Sequence, residues 1–593
     1  MQTKLLWSAL IAFLVTFAVF HAVGSFDIIN CDDYDYLLNH EQVVSGLSIG
    51  GIRWAFANVE EAIWMPLTWI SYMADRSLGL DFGAMHLHSL LWHCLNAALL
   101  VLLLGRLFPN RPLLVLFAAL FWSVHPLRVE SVAWLASRKD VISTFFFLLA
   151  LLVWITPSTK HQALSTVFLL LGSAAKPSVM VFPAFALAID FLILKRMRPW
   201  WTYAIIIVIC GAIGIEAGWA QGAGGAMDST AAIPLAYKLL NALAALTIYF
   251  GNVIWPSSLA PQCLLRYPAL PRFSPLGALV LFAIGYWLFN YLRSITPYLS
   301  SLIHNSLPKQ SPNHPNTQSN NPTILLLLLF PLSLFPFLGI VGFGIHAFAD
   351  RFTLLPSIAL SLAIPHLLAN VPRHIPRSLF PIPIILVILF LSFLTYRQTL
   401  LWADEVMIFS HTLDVDGPQN AEALVVIGGH FYEFDYDHRK ALDYLKRAID
   451  VPNGYHSVGK IGDIFMECAC VSGDRAAQDD CLNWLDRWNR EQEDNYNRAH
   501  GTFNHWDTTQ YLVAKALRLA YRPDFLPEAE KQLADLRRRL PNHTSVRRLA
   551  YRLALLKGNA DEIAAAHAAC ADVCGDTYFK NRWARLDSGR KGK

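Results

Sequence analysis

Phe26-Asp27-Ile28-Ile29-Asn30-Cys31-Asp32-Asp33-Tyr34-Asp35-Tyr36-Leu37-Leu38-Asn39-His40 follows directly on an apolar run from Leu5 to Val23. Four acids, Asp27, Asp32, Asp33 and Asp35, stand where that run ends. Carboxylates are expelled from hydrocarbon, so a chain that crosses a bilayer with its first run has left it by about Asp27. The next apolar run begins near Leu87, which makes residues 26–86 a first external loop. A carboxylate cluster just past a membrane exit is placed for acid–base chemistry on something held at the membrane surface. The stretch therefore decides between a soluble chain with a leader and a membrane protein with a working loop.

Composition favours the second. The chain has 593 residues, of which 54% are hydrophobic and 16% charged, and its mean hydropathy is +0.37. Soluble proteins carry about 25% charged residues. The charges concentrate after Trp402, so two parts are expected: a membrane domain over 1–400 and a soluble helical domain over 401–593. The net charge of +4 is small, there is no long basic stripe of the kind that binds nucleic acid, and no nucleic-acid partner is expected. Lys4 ahead of the first apolar run resembles a signal peptide, but no small-x-small cleavage site stands near Gly24-Ser25, and an uncleaved first span is the expectation.

Apolar segments near 5–25, 87–105, 112–124, 141–155, 163–194 (two spans broken at Lys176-Pro177), 201–220, 236–255, 275–293, 323–345, 352–369 and 378–396 predict about eleven to thirteen membrane helices. The fold class is all-α and polytopic. Basic groups at Lys4, Arg106 and Arg111, Lys160, Lys195-Arg196-Arg198, Arg293 and Lys309, and Arg373 and Arg377 fix a cytoplasmic side. The count is even between these marks except over 201–293, where 236–255 is expected to be re-entrant or to lie along the interface. Eleven spans place the first loop and the tail on the same outer side; twelve make the tail cytoplasmic. Residues 295–322, rich in Pro, Ser and Asn, read as a loop.

In the tail, Gly429, Tyr432, Ala441, Leu445 and Ala448 reproduce the small and large alternation of a tetratricopeptide (TPR) unit, and 508–538 and 544–570 read as further helical hairpins. Such a module binds another chain or serves as a lid or spacer. Cys468, Cys470, Cys481, Cys570 and Cys574 lie in the same region, as buried thiols or in one or two disulfides.

Several polar residues interrupt the apolar runs. Asp32 and Asp33 are adjacent, so their charges are solvated or shift one another; facing a dry cleft, one accepts a proton from an attacking hydroxyl while the other orients it. A second island runs from His125 through Arg128, Glu130 and Trp134 to Arg138-Lys139-Asp140. Glu130 and Arg138, eight residues apart, fall near one helix face, and the positive charge suits a phosphate or a structural ion-pair network. Lys176 breaks an apolar stretch and is a functional candidate on that ground. Asp350-Arg351 reads as an ion pair or as part of the same site. His86 and His93 are a heptad apart, with no convergent carboxylate to make a metal site.

The ordered set of motifs resembles a known family. Asp32-Asp33-Tyr34 with Asn39, then Ile52-Arg53-Trp54-Ala55-Phe56 and Trp64-Met65-Pro66-Leu67-Thr68-Trp69, is similar to the first loop of TPR-containing integral-membrane proteins related to the transmembrane O-mannosyltransferases. His125-Pro126, Glu130 to Trp134, Arg138-Lys139-Asp140, Ala175-Lys176-Pro177, Trp255-Pro256, and Ala349-Asp350-Arg351-Phe352 with Leu355-Pro356 extend the likeness over nearly the whole chain. The resemblance implies a GT-C fold and transfer of a hexose, with mannose a candidate, from a polyprenyl-phosphate donor to a hydroxyl of a protein or glycan acceptor. It implies residence among membrane lipids, in a bacterial inner membrane, with the chemistry on the outer face. It makes Asp32 or Asp33 the base, assigns the phosphate to Arg138, Lys139, Lys176 and Arg351, with Asp350 beside them, and gives His125 and Glu130 the shaping of the pocket. Asp33-Tyr34-Asp35 is also a D-x-D, which leaves open which acid is the base and whether Mg2+ or Mn2+ takes part. Two other readings fit the same chain: a transporter or flippase of lipid-linked sugars, and a non-enzymatic scaffold that recruits a partner through its tail.

Overall fold

The computed structural model describes residues 2–29, 32–38, 40–223, 233–257, 259–261, 263–264, 322–340, 346–368, 381–433, 435, 437–451, 462–486, 506–539 and 544–574. The expected span 275–293 and the loop 295–322 lie outside them, apart from Pro322. The described chain is helical, with one two-stranded antiparallel pairing of Cys263–Leu264 with His346–Phe348.

Among the described residues five helices are long and apolar enough to cross a membrane: Thr3–Ser25, Phe82–Leu107, Trp200–Ala223, Leu235–Ile254 and Pro381–Leu401. A sixth is made if Pro112–Ser123 and Pro126–Ala133, bent by 54° at their junction, count as one. Helices of membrane-crossing length and apolarity are thus present as expected, and the expected span 275–293 lies outside the described residues. Pro177–Ile193, Pro322–Phe337 and Ile358–Leu367 are apolar but short. Arg138–Trp154 and Thr159–Ser173 are also short of a full span, at 17 and 15 residues. Proline and the polar islands cut these runs, since proline lacks the amide proton a continuing helix needs.

Side-chain caps and prolines start the helices where the sequence turns polar. Asp81 accepts from the Ala84 amide at 2.8 Å, Ser48 from that of Gly51 at 2.9 Å and Asp404 from that of Met407 at 2.9 Å, each using a free amide of a first turn. Pro66 and Pro112 open theirs, where no amide proton is missed.

The first helix runs antiparallel to Phe82–Leu107, with Leu5 against Gly105 at one end and Gly24 against Gly83 at the other. The Gly24 end gathers everything of interest. The first loop folds there into short helices, Asp32–Leu37, Glu41–Val44, Ile49–Ala57 and Pro66–Ser77. It is tied down by Tyr72, whose hydroxyl donates to Leu135 O at 2.6 Å, and by Thr68, which donates to Ala175 O at 3.2 Å. At the opposite end Asp190 accepts from Arg196 Nε (2.9 Å), Arg198 Nε (2.7 Å), Trp154 Nε1 (3.0 Å) and the Tyr203 hydroxyl (3.1 Å). The basic marks of the sequence thus include a structural ion-pair lock there.

Leu235–Ile254 is bound to the Gly24 end at several points. Asn241 donates to Ala347 O at 3.1 Å, Tyr249 contacts Ala349, and Val253 O accepts from His125 at 3.1 Å.

Pro381–Leu401 returns to the same end and delivers the tail. There Ala421–Glu433 and His438–Ile449 pack as a helical hairpin, Gly428 making room for Leu445; an added Cβ would stand 2.8 Å from the leucine. Helices continue through Gly462–Val471, 475–486, Trp506–Ala520, Leu526–Arg539, Thr544–Lys557 and Ala560–Cys574. Cys468, Cys470 and Cys481 are free thiols, and the side chains of Cys570 and Cys574 lie outside the described ones. A second core, separate from that of the membrane domain, is built around Phe465, Trp484, Leu517 and Leu549.

Candidate functional site

A cavity of about 280 Å³ opens at the loop end of the bundle. Its wall carries Asp32 and Tyr36 from the first loop, Lys139 from the start of Arg138–Trp154, Lys176 from the break before Pro177, and Arg351. These come from four separate stretches of sequence, and the polar interruptions of the apolar runs are what bring them to one place.

The cations are buried and held by aromatic and acidic neighbours. Lys139 Nζ donates to the Tyr36 hydroxyl at 2.9 Å and to Ala136 O at 2.8 Å, 4.5 Å from the Tyr36 ring centre. Lys176 pairs with Asp140 at 2.6 Å. Arg351 bonds Glu130 twice, through its guanidinium and through its amide at 2.7 Å, and lies over Trp134 and Phe352 at 5.1 and 5.0 Å from their centres. Two of the three cations thus have a carboxylate partner. Lys139 forms no ion pair among the described residues, and Asp32 is the carboxylate that weighs most on its charge. A buried ammonium without an ion-pair partner gains from a nearby anion in such a low-dielectric wall.

The expected residues divide into those that face the cavity and those behind it. Asp32, Lys139, Lys176 and Arg351 line it. Asp33 does not: it is buried, accepting from the amides of Ala136 at 2.7 Å and Ile29 at 3.2 Å, and burial pushes its carboxyl up to about 7. Its place as a candidate base gives way to that of a clamp joining the loop to the 134–138 segment. Arg138 is also turned away from the phosphate position expected for it, bonded to Asp75, to Ser89 Oγ at 2.9 Å and to Met85 O at 2.7 Å. Glu130 and Arg138 do not share a helix, since Val129–Ala133 ends at Trp134 and a new one starts at Arg138. Glu130 orients Arg351. His125 sits behind, bonded to Val253 O. Asp350 is buried beside Arg128 and outside the lining, so Asp350 and Arg351 are not an ion pair with each other. His86 and His93 each meet a backbone carbonyl, of Asp27 at 3.2 Å and of Ser123 at 2.8 Å. They are structural.

Sequence reading missed Tyr36, Glu61 and His346 of the lining. Tyr36 had a signal, standing four residues from Asp32 and so on the same helical face; Glu61 and His346 had none. A divalent cation fits this wall poorly. The adjacent acids diverge, Asp32 keeps company with cations, and among the described residues no three His, Cys, Asp or Glu side chains are grouped to hold a metal.

The described residues also bound an apolar groove of about 830 Å³ against Leu187, Leu239, Leu246 and Leu328. The segment 335–340 walls both spaces: Phe335, Leu338 and Ile340 face the groove, and Pro336, Phe337 and Gly339 face the cavity. The fold and this wall define a helical protein with helices long and apolar enough to cross a membrane and a cation-lined cavity at one end of its bundle. No family model, no curated protein and no solved structure matches the chain.

Proposed function

We propose that the chain is a membrane glycosyltransferase that moves a hexose from a polyprenyl-phosphate carrier to an acceptor hydroxyl at the loop end of the bundle. The observation that carries this reading is the company of Asp32, a carboxylate that shares the cavity wall with Lys139, Lys176 and Arg351. The acceptor oxygen attacks the anomeric carbon while its proton passes to Asp32. The bond from that carbon to the phosphate oxygen breaks, and the lipid phosphate leaves with the electron pair, its new charge met by the three cations. One C–O bond forms, one breaks, and the anomeric centre inverts. The neighbouring apolar groove suits the first isoprene units of the carrier. The acceptor is a protein or glycan hydroxyl, and the helical tail is the element suited to presenting it.

The test is transfer of labelled hexose from its polyprenyl-phosphate donor by the purified chain. Asp32→Asn is expected to lower the rate by about 10²- to 10⁴-fold with an unchanged melting curve. Full activity in that variant would sink the assignment. Uptake of the donor into vesicles with no covalent product would favour a transporter instead.

A further inference from the structure

The turn Glu60–Ile63 closes one side of the cavity, and its backbone is unusual. Glu61 and Ala62 are consecutive, neither is glycine, and both sit in the left-handed region, at φ +53° and +57°. The conformation is held by its own closing bond and by neighbours. Gln221 donates to Ala62 O at 2.9 Å, the Ile63 amide to Glu60 O at 3.1 Å, and Trp64 Nε1 to Phe56 O at 3.1 Å. Backbone strain kept in a ligand wall by surrounding bonds is a mark of functional positioning. What it positions is the Glu61 carboxylate, which lines the cavity with Asp32 and Tyr36, its side chain 37% exposed and 3.8 Å from His40.

We propose that Glu61 reads the hydroxyls of the transferred sugar ring, an inference that rests on the glycosyl-transfer reading and names the group that selects its sugar. The three cations serve the phosphate and are blind to the pattern of ring hydroxyls. A carboxylate accepts two hydroxyl hydrogen bonds in a fixed plane, the chemistry that tells one hydroxyl arrangement from another. Trp64, also in the wall, offers aromatic surface to the C–H side of a ring. The volume of about 280 Å³ falls at the small end of ligand pockets, near 300 Å³, which suits a single ring with its phosphate rather than an oligosaccharide.

The experiment compares two ligands on the purified full chain by quenching of tryptophan fluorescence: a short-chain polyprenyl phosphate, and the same lipid carrying a hexose. The native chain is expected to bind the hexosyl lipid more tightly. Glu61→Ala should weaken that binding about tenfold, to the level of the bare phosphate, and leave the bare phosphate unchanged. Glu61→Gln should fall between, and Lys139→Gln should weaken both. If Glu61→Ala weakens both lipids equally, or neither, the role of Glu61 is wrong while the donor reading stands. If the native chain binds neither lipid, the donor reading fails and this inference fails with it.

Discussion

Successive residues of an α-helix leave its axis about 100° apart, so Asp32 and Asp33, both in the helix Asp32–Leu37, cannot both face the cavity. The acid pair was legible in the sequence, and its division of labour was not, because that depends on the helical phase and on what packs against each face. Asp33 turns inward to satisfy two backbone amides. Asp33→Ala removes both acceptors and should cost about 2–6 kcal/mol, at 1–3 for each buried donor left unpaired, read as a lower melting temperature in detergent. A variant as stable as the native chain would refute the clamp. The pH dependence follows from the same burial, which raises the carboxyl from 3.8 to about 7. Between those values the folded chain holds a proton that the unfolded chain has shed, so stability falls as pH rises through that window and levels off above it. Asp33→Asn, neutral throughout, should show a flatter melting temperature from pH 5 to 7.5. Equal slopes would remove Asp33 as the cause.

Among elements, apolar runs were readable from hydropathy, and their lengths as helices were not. Between the expected spans 112–124 and 141–155, Pro126 makes a bend and Arg138 starts a new helix, and that break is what sets Lys139 and Trp134 in the cavity wall. Close helix contacts make a sharper test. A Cβ on Gly83 would stand 2.2 Å from the backbone oxygen of Gly24, and one on Gly105 equally close to the end of the Leu5 side chain. Backbone cannot yield as a leucine tip can. Gly83→Ala should therefore destabilise by about 1–3 kcal/mol, and Gly105→Ala by clearly less; the reverse order in thermal melts would contradict the packing. The strained turn supplies a second comparison. Left-handed backbone costs an L-residue roughly 1–2 kcal/mol, so Ala62→Gly, which adopts it freely, should leave stability equal or higher. A marked loss would mean that the turn is not strained as described.

For the whole molecule, the change in charge density near residue 400 was legible, and a second core lies beyond it, while residues from Ile408 to Ile427 still join the first. The docking of the parts was not legible, since it rests on distant pairings such as His411 with Leu259 O at 3.0 Å. The first loop and the tail meet at one end of the bundle, with Lys160 placed beyond the other end of the helix that starts at Arg138. Single cysteines at Glu41, Lys440 and Lys160 make this measurable with an impermeant thiol reagent on sealed vesicles. The first two should react from the same side and the third from the opposite one. Glu41 and Lys440 labelling from opposite sides would break the arrangement.

Trp402, at the start of the tail, lies 6.1 Å from Trp134 between ring centres, and Trp134 is both the platform under Arg351 and part of the cavity wall. The two ends of that contact obey reciprocity. A load on the tail that displaces Trp402 and alters the cavity's affinity by some factor obliges a ligand in the cavity to alter the tail's affinity for that load by the same factor. With such a coupling the tail would be a gauge as much as a handle, reporting occupancy of the cavity.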